Sequence, residues 1–315
     1  MMKTLFLILT AFLETINFAQ GYSTEIYVSK DSTGDYSSIQ AAIDATKAFP
    51  DLPIKIFIKQ GVYHEKVRVY SWNTHLSLIG DKNGETVIVN NDHFKSVNLG
   101  RNSTFHTYTV KVEANDFYAS DLIIENSAGD VGQAVALHVE ADRVHFENCT
   151  FLGHQDTMYL SGENDRQYFN NCTVTGTTDF IFGSSTALFD QCDIISKKGS
   201  YITAASTNEI SDFGFVFREC KLSNSDLAKA STYLGRPWRG YAKTVFISCE
   251  MGEHIHPSGW KEWHTGGETY YAEYGSHGPG GFSSDRVDWS FQLSKEQANR
   301  YIIKNIFKGW VPDSD

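Results

Sequence analysis

The chain has 315 residues, with 27 Lys and Arg against 38 Asp and Glu and a formal charge of −11. That balance excludes a general nucleic-acid binder, which needs basic surface to displace phosphate counterions. It suits an anionic polymer only where the polymer's charges are masked.

From the N-terminus, Lys3 precedes the apolar run Leu5 to Leu13, which is too short to span a bilayer. Ala19-Gln20-Gly21 then gives a small-x-small exit, so residues 1–21 read as a secretory signal and residues 22–315 as one extracellular domain. No later run reaches membrane-spanning length, and no membrane partner is expected. Ser37-Ser38-Ile39-Gln40 signals a helix start, with Ile39, Ala42 and Ile43 as its apolar stripe. Asn102-Ser103-Thr104, Asn148-Cys149-Thr150 and Asn171-Cys172-Thr173 are glycosylation sequons. Asn102 is the favoured one, because the other two contain a cysteine assigned to a core.

All five cysteines close a Phe-x-x-Cys unit: Phe146 to Cys149, Phe169 to Cys172, Phe189 to Cys192, Phe217 to Cys220 and Phe246 to Cys249. Intervals of 23, 20, 28 and 29 residues with variable insertions mark a solenoid. The β-branched and aromatic residues around each unit favour strands. Stacked in parallel, the units become coils of an all-β helix, with each cysteine a small apolar rung of an interior ladder. A Cys172–Cys192 disulfide between rungs is sterically allowed; free buried thiols are the preferred reading. Near the other end, Ser294-Lys295-Glu296-Gln297 repeats a capping box, with Ala298, Tyr301 and Ile302 facing inward and Gly309 as a stop.

The repeat also places chemistry. Asp156 lies seven residues after Cys149 and Asp179 seven after Cys172, each preceded by a matching glycine, Gly153 and Gly176. Gln133 stands 23 residues before Asp156, one rung away if that spacing holds. Two adjacent carboxylates repel, so one keeps its proton to higher pH, and the pair offers a nucleophile and an acid together. An Asp ladder serving turn N–H groups is the structural alternative. Gln133 and Gln155 supply amides that can donate to an oxyanion, which favours acyl transfer. His254-Ile255-His256 is read as alternating strand histidines; without a complete ligand set, neither metal nor cofactor is expected.

Gly61-Val62-Tyr63-His64-Glu65, Gln133-Ala134-Val135-Ala136-Leu137, Gly153-His154-Gln155-Asp156-Thr157, Asp179-Phe180-Ile181-Phe182-Gly183 and Leu234-Gly235-Arg236-Pro237-Trp238 closely resemble, in order, the motif series of the pectin methylesterases. His154 and Met158 depart from that family's usual aromatic and leucine. The resemblance implies a right-handed parallel β-helix with short capping helices at its ends, in a monomeric form with no inhibitor-like pro-region. It implies a methylated galacturonate polymer as substrate, with Asp179 as nucleophile, Asp156 as acid and base, Gln133 and Gln155 at the oxyanion, and Arg236 orienting Asp179. Trp238 and Phe180 would take sugar faces in the cleft, Thr104 would touch substrate, and Phe182 would pack inward. Tyr63 and Glu65 would open the solenoid. The competing readings are a glycoside hydrolase, which also wants carboxylates about 5 Å apart, a thioesterase, and a non-catalytic carbohydrate-binding solenoid.

Overall fold

In the computed structural model, residues 21–263, 267–281 and 283–312 are described. The signal-like segment, apart from Gly21, lies outside them. Within them the strands form three parallel sheets, of eleven, eight and seven strands, wound into a right-handed β-helix.

The Phe-x-x-Cys unit is the corner where the eleven-stranded sheet passes to the eight-stranded one. In the unit from Phe146 to Cys149, Phe146 faces inward near the end of the strand Val144–Glu147 and Glu147 faces out. Asn148 then takes a left-handed conformation at φ 53°, and Cys149 points inward again. Asn171, Gln191, Glu219 and Ser248 repeat that turn, with φ between 51° and 54°. The phenylalanines pair rung on rung in register. Their rings stack with centroids 5.3, 4.7, 4.7 and 4.4 Å apart from Phe146 to Phe246, the offset-parallel spacing that favours aromatic pairs. All five cysteines are free and buried, and their thiols lie against backbone carbonyls of their own and the preceding rung, as Cys192 does at 3.3 Å from Phe169 O. Burial pushes the Cys149 thiol up to about 12, so these side chains behave as apolar filler.

The same turn corrects one expectation. A buried cysteine does not bury the asparagine before it: Asn148 and Asn171 are as exposed as Asn102, so burial does not separate the three sequons.

At the N-terminal end, the helix Ile39–Asp44 closes the first coil with Ile39, Ala42 and Ile43 buried. Its N-cap is Ser38, and the reciprocal partner is not Gln40. Glu65 reaches across from the next coil and accepts from Ser38 Oγ at 2.8 Å, Ile39 N at 3.1 Å and Gln40 N at 3.0 Å. A carboxylate on the free N–H groups of a first helical turn satisfies donors the helix leaves open.

The C-terminal helices Lys295–Ala298 and Ile303–Ile306 pack on the outer face of the eleven-stranded sheet, with Ala298 beside Val245, Ile247 and Ala272 of its last coils. Ile306 and Phe307 cover Tyr168, Leu188 and Val216, the outward neighbours of the inward phenylalanines. The Ser294 capping box forms as expected, and Gly309 ends the second helix at φ 89°. Ile302 is 47% exposed, contrary to its assigned inward place, because the helix breaks between Ala298 and Ile303 and turns that side chain out.

Candidate active site

The coil from Cys149 to Cys172 keeps an offset of 23 residues in all three sheets: Phe146 pairs with Phe169, Thr150 with Thr173, and Met158 with Ile181. Asp156 and Asp179 therefore occupy equivalent corners on adjacent rungs, both left-handed, at φ 63° and 48°. Asp156 N donates to Thr178 O at 3.1 Å and Asp179 N to Tyr201 O at 2.8 Å, so each corner hangs on the coil beyond it. The tight turn explains the matched glycines. A Cβ at Gly176 would lie 2.1 Å from Phe180 Cβ, and one at Gly153 would lie 2.6 Å from Thr157 Oγ1.

One coil earlier the offset changes. Leu137 pairs with Met158, an offset of 21, and Gln133 bridges Gln155. Gln133 thus stacks on Gln155 and not in the column of aspartates, which puts two amide side chains on neighbouring rungs beside the carboxylates. Both glutamines line the same cleft, of about 400 Å³, as Asp156 and Asp179.

The two carboxyl groups sit in different electrostatic company. Arg236 holds Asp179 bidentately, Nε to Oδ1 at 3.0 Å and Nη2 to Oδ2 at 2.7 Å. The guanidinium is itself clamped between the rings of Tyr201 and Trp263, each centroid 4.0 Å from Cζ, a stacking a planar Arg head supports and an ammonium does not. Burial raises Asp179 and the Arg236 hydrogen bonds and charge oppose it. Asp156 is pushed well above the usual carboxylate range, first by burial and then by the Asp179 charge; Arg236 and a hydrogen bond from Gln155 pull the other way. A buried acid beside an ion-paired carboxylate is the arrangement that keeps one proton on the pair.

Trp238 and Thr104 line the cleft as expected. Phe180 does not. It is fully buried in the interior core over Gly176, and Phe182 takes the place assigned to it, lining the cleft edge-on to Trp238 at 5.8 Å. The turn at Asp179 resets the in-out alternation, so Phe180 and Ile181 both face in and Phe182 faces out. Arg101 and Phe105, from the 3-10 segment Gly100–His106, and Arg239 and Trp263 also line the cleft; sequence reasoning did not single them out.

Two larger hollows, of about 590 Å³ beside Lys243 and Tyr301 and about 680 Å³ beside His75 and Trp310, are lined by no side-chain amide. Among the described residues no group of three or more His, Cys, Asp or Glu side chains could hold a metal. His254 is fully buried rather than a surface histidine, and His256 stacks on Tyr233 at 4.5 Å. No described helix is long and apolar enough to cross a membrane.

The family model described as Pectinesterase matches residues 25–310. The probable pectinesterase/pectinesterase inhibitor 64 of Arabidopsis thaliana is 34% identical over 328 residues, covering 93% of this chain and 52% of the relative. The chain spans about half the length of the curated relatives it matches. Among solved structures, pectin methylesterase from carrot superposes with a TM-score of 0.83 at 32% identity, covering 90% of this chain and 93% of that one. A pectin methylesterase solved in complex with a hexasaccharide gives 0.78 at 30% identity, covering 92% and 98%.

Proposed function

The chain belongs to the pectinesterase family, and from that premise we propose that it hydrolyses methyl esters of galacturonate units in pectin, releasing methanol. The observation that carries this reading is the asymmetry of the aspartate pair: Asp179 is ion-paired to Arg236, while Asp156 is buried beside it without a cation of its own.

Asp179, ionised, attacks the ester carbonyl, and the carbonyl oxygen becomes an oxyanion that the Gln133 and Gln155 amides receive. The intermediate collapses to a mixed anhydride on Asp179 as Asp156 gives its proton to the departing methoxide, forming methanol. Asp156, now a carboxylate, takes a proton from the water that attacks the anhydride. That step frees the galacturonate acid, returns Asp179 as carboxylate and leaves Asp156 protonated. Trp238 and Phe182 offer faces and edges for the sugar rings at the cleft wall. The Leu5 to Leu13 run and its small-residue exit support secretion, so the substrate is met outside the cell.

Incubation with methylated pectin tests the reading: methanol should appear with no new reducing ends. New reducing ends without methanol would overturn it and favour a glycoside hydrolase.

A further inference from the structure

The two C-terminal helices leave part of the sheet beneath them uncovered. Phe307 packs with Tyr168, Leu188 and Val216, and Ala298 with Val245, Ile247 and Ala272. Tyr301, between the helices, packs against both groups, and beside it the outer face of the eleven-stranded sheet opens into the hollow of about 590 Å³. No residue lining that hollow also lines the cleft, whose Phe182, Ala204 and Arg236 come from the seven-stranded sheet. Its volume lies within the range of about 300–1,000 Å³ usual for small-molecule sites.

The walls of the hollow are aromatic and its charges are of both signs. Phe291 stacks on Tyr270, with centroids 5.2 Å apart and 20° between the planes, and is itself 48% exposed. Lys243 pairs in register with Tyr270 and donates from Nζ to Ser211 O, which leaves two of its ammonium hydrogens free. Arg300, Glu209 and Glu268 also line the hollow, are exposed, and make no ion pair among the described residues. Asp212, the remaining carboxylate of the lining, is already taken by Lys308 at 3.1 Å. The groups left over, two cations and two carboxylates, sum to zero.

That balance gives a polyanion no net attraction and a small cation no cluster of carboxylates. A neutral sugar suits it. Ring hydroxyls donate to carboxylates and accept from ammonium and guanidinium groups, and these charge-assisted hydrogen bonds are the strong ones. The C–H face of the same sugar lies on an aromatic ring, whose face carries the negative part of its quadrupole. We propose that the hollow is a non-catalytic binding site for a neutral saccharide unit. Phe291 and Tyr270 take the sugar face, and Glu209, Glu268, Lys243 and Arg300 take its hydroxyls. A saccharide held there does not compete with an ester for the cleft. The proposal goes beyond the esterase reading and does not depend on it.

Calorimetry tests it with three uncharged tetrasaccharides, built of glucose, galactose or arabinose, and with a demethylated galacturonate tetramer as the charged control. At least one neutral tetramer should bind at one site per chain with a Kd of roughly 1 mM or tighter. Tyr270→Ala and Arg300→Ala should each weaken it by about 5-fold or more, as the loss of a stacked ring or a charge-assisted hydrogen bond does. Tyr270→Phe keeps the ring and should keep most of the binding. Arg300 is exposed, so its substitution reads the site without disturbing packing. Trp238→Ala, in the cleft, should leave neutral-saccharide binding as it is, and the Arg300 variant should release methanol at the wild-type rate. Absence of binding by all three neutral tetramers would overturn the proposal. So would neutral binding lost with Trp238→Ala and kept in both alanine variants of the hollow, or galacturonate binding that falls with Arg300→Ala. Failure to release methanol bears on the esterase reading alone and leaves the binding outcomes to decide this one.

Discussion

Arg236→Gln isolates the interaction that separates the two aspartates. The Asp179 and Arg236 side chains are 11% and 22% exposed, so the pair is a largely buried one. Removing one partner of such a pair and leaving the other charged costs about 3–5 kcal/mol. A carboxylate avoids most of that cost by taking a proton, and at 1.36 kcal/mol per unit the cost corresponds to a rise of roughly 2–4 units in the Asp179 pKa. Burial already raises that pKa with Arg236 present, so the substitution adds to an existing shift in the same direction.

On the proposed mechanism Asp179 attacks only when ionised, so the rate climbs as pH rises through its pKa. The acid limb of the kcat/KM profile for methanol release should therefore move to higher pH by about 2 units or more in Arg236→Gln. At any pH on that limb the rate should fall by about 100-fold or more, recovering in part as pH is raised. Arg236→Lys keeps the charge but loses the fork and the stacking between Tyr201 and Trp263, and should shift the limb less. A lower rate with the acid limb unmoved would refute the reasoning, because Arg236 would then act on substrate and not on Asp179.

Two further predictions separate the aspartates by role. With a nitrophenyl ester, whose leaving group needs no proton, Asp156→Asn should give a burst of about one equivalent and then stall as the anhydride persists, while Asp179→Asn should give none; a burst from Asp179→Asn would reverse the assignment. Asp156→Asn should also be the more stable protein at neutral and higher pH: a carboxyl whose folded pKa lies above its unfolded value contributes stability that is complete below the unfolded value and is lost as pH rises through the folded one. The gain in Tm, read calorimetrically, should be about 2–6 °C at pH 8 and should vanish near pH 3.5; an equal gain at both pH values would refute it.

The solenoid was legible because its interior repeats. Phenylalanine and cysteine recur at each corner, the coil from Cys149 to Cys172 has no insertion, and so the alignment of Asp156 with Asp179 survived from sequence to structure. Elsewhere counting failed for physical reasons. The coil before it is shorter by one residue at the cleft, which moved Gln133 over Gln155. Alternation across Asp179 failed because a left-handed residue resets which side chains face in, and that exchanged Phe180 for Phe182. Arg101, Arg239 and Trp263 lie in connections between strands, where no periodicity reports position; each is visible only once the coils are stacked. Glu65 has a structural role, but its partners sit 25 to 27 residues earlier, a distance no local pattern bridges.

The same left-handed corners explain why the carboxylates are aspartates. An L-residue at φ 48° or 63° is strained, and Asp and Asn tolerate that region better than longer or branched side chains. At the corner that leads into the eight-stranded sheet, three rungs use Asp121, Asn148 and Asn171, the two asparagines exposed, while Gln191, Glu219 and Ser248 hold the same φ on later rungs. At the corners of 156 and 179 the same left-handed backbone carries carboxyls that line a cleft together with Arg101, Thr104 and Phe105 of the Gly100–His106 segment and with Arg236 and Trp238. On the proposed mechanism, what separates a reactive Asp from a structural one is therefore its surroundings, not the turn: burial raises both carboxyls, and the guanidinium hydrogen-bonded to Asp179 breaks their equivalence. A glutamate at either corner would carry the carboxyl one methylene further from the coil, out of the fork that Arg236 presents, in a backbone region it adopts less readily.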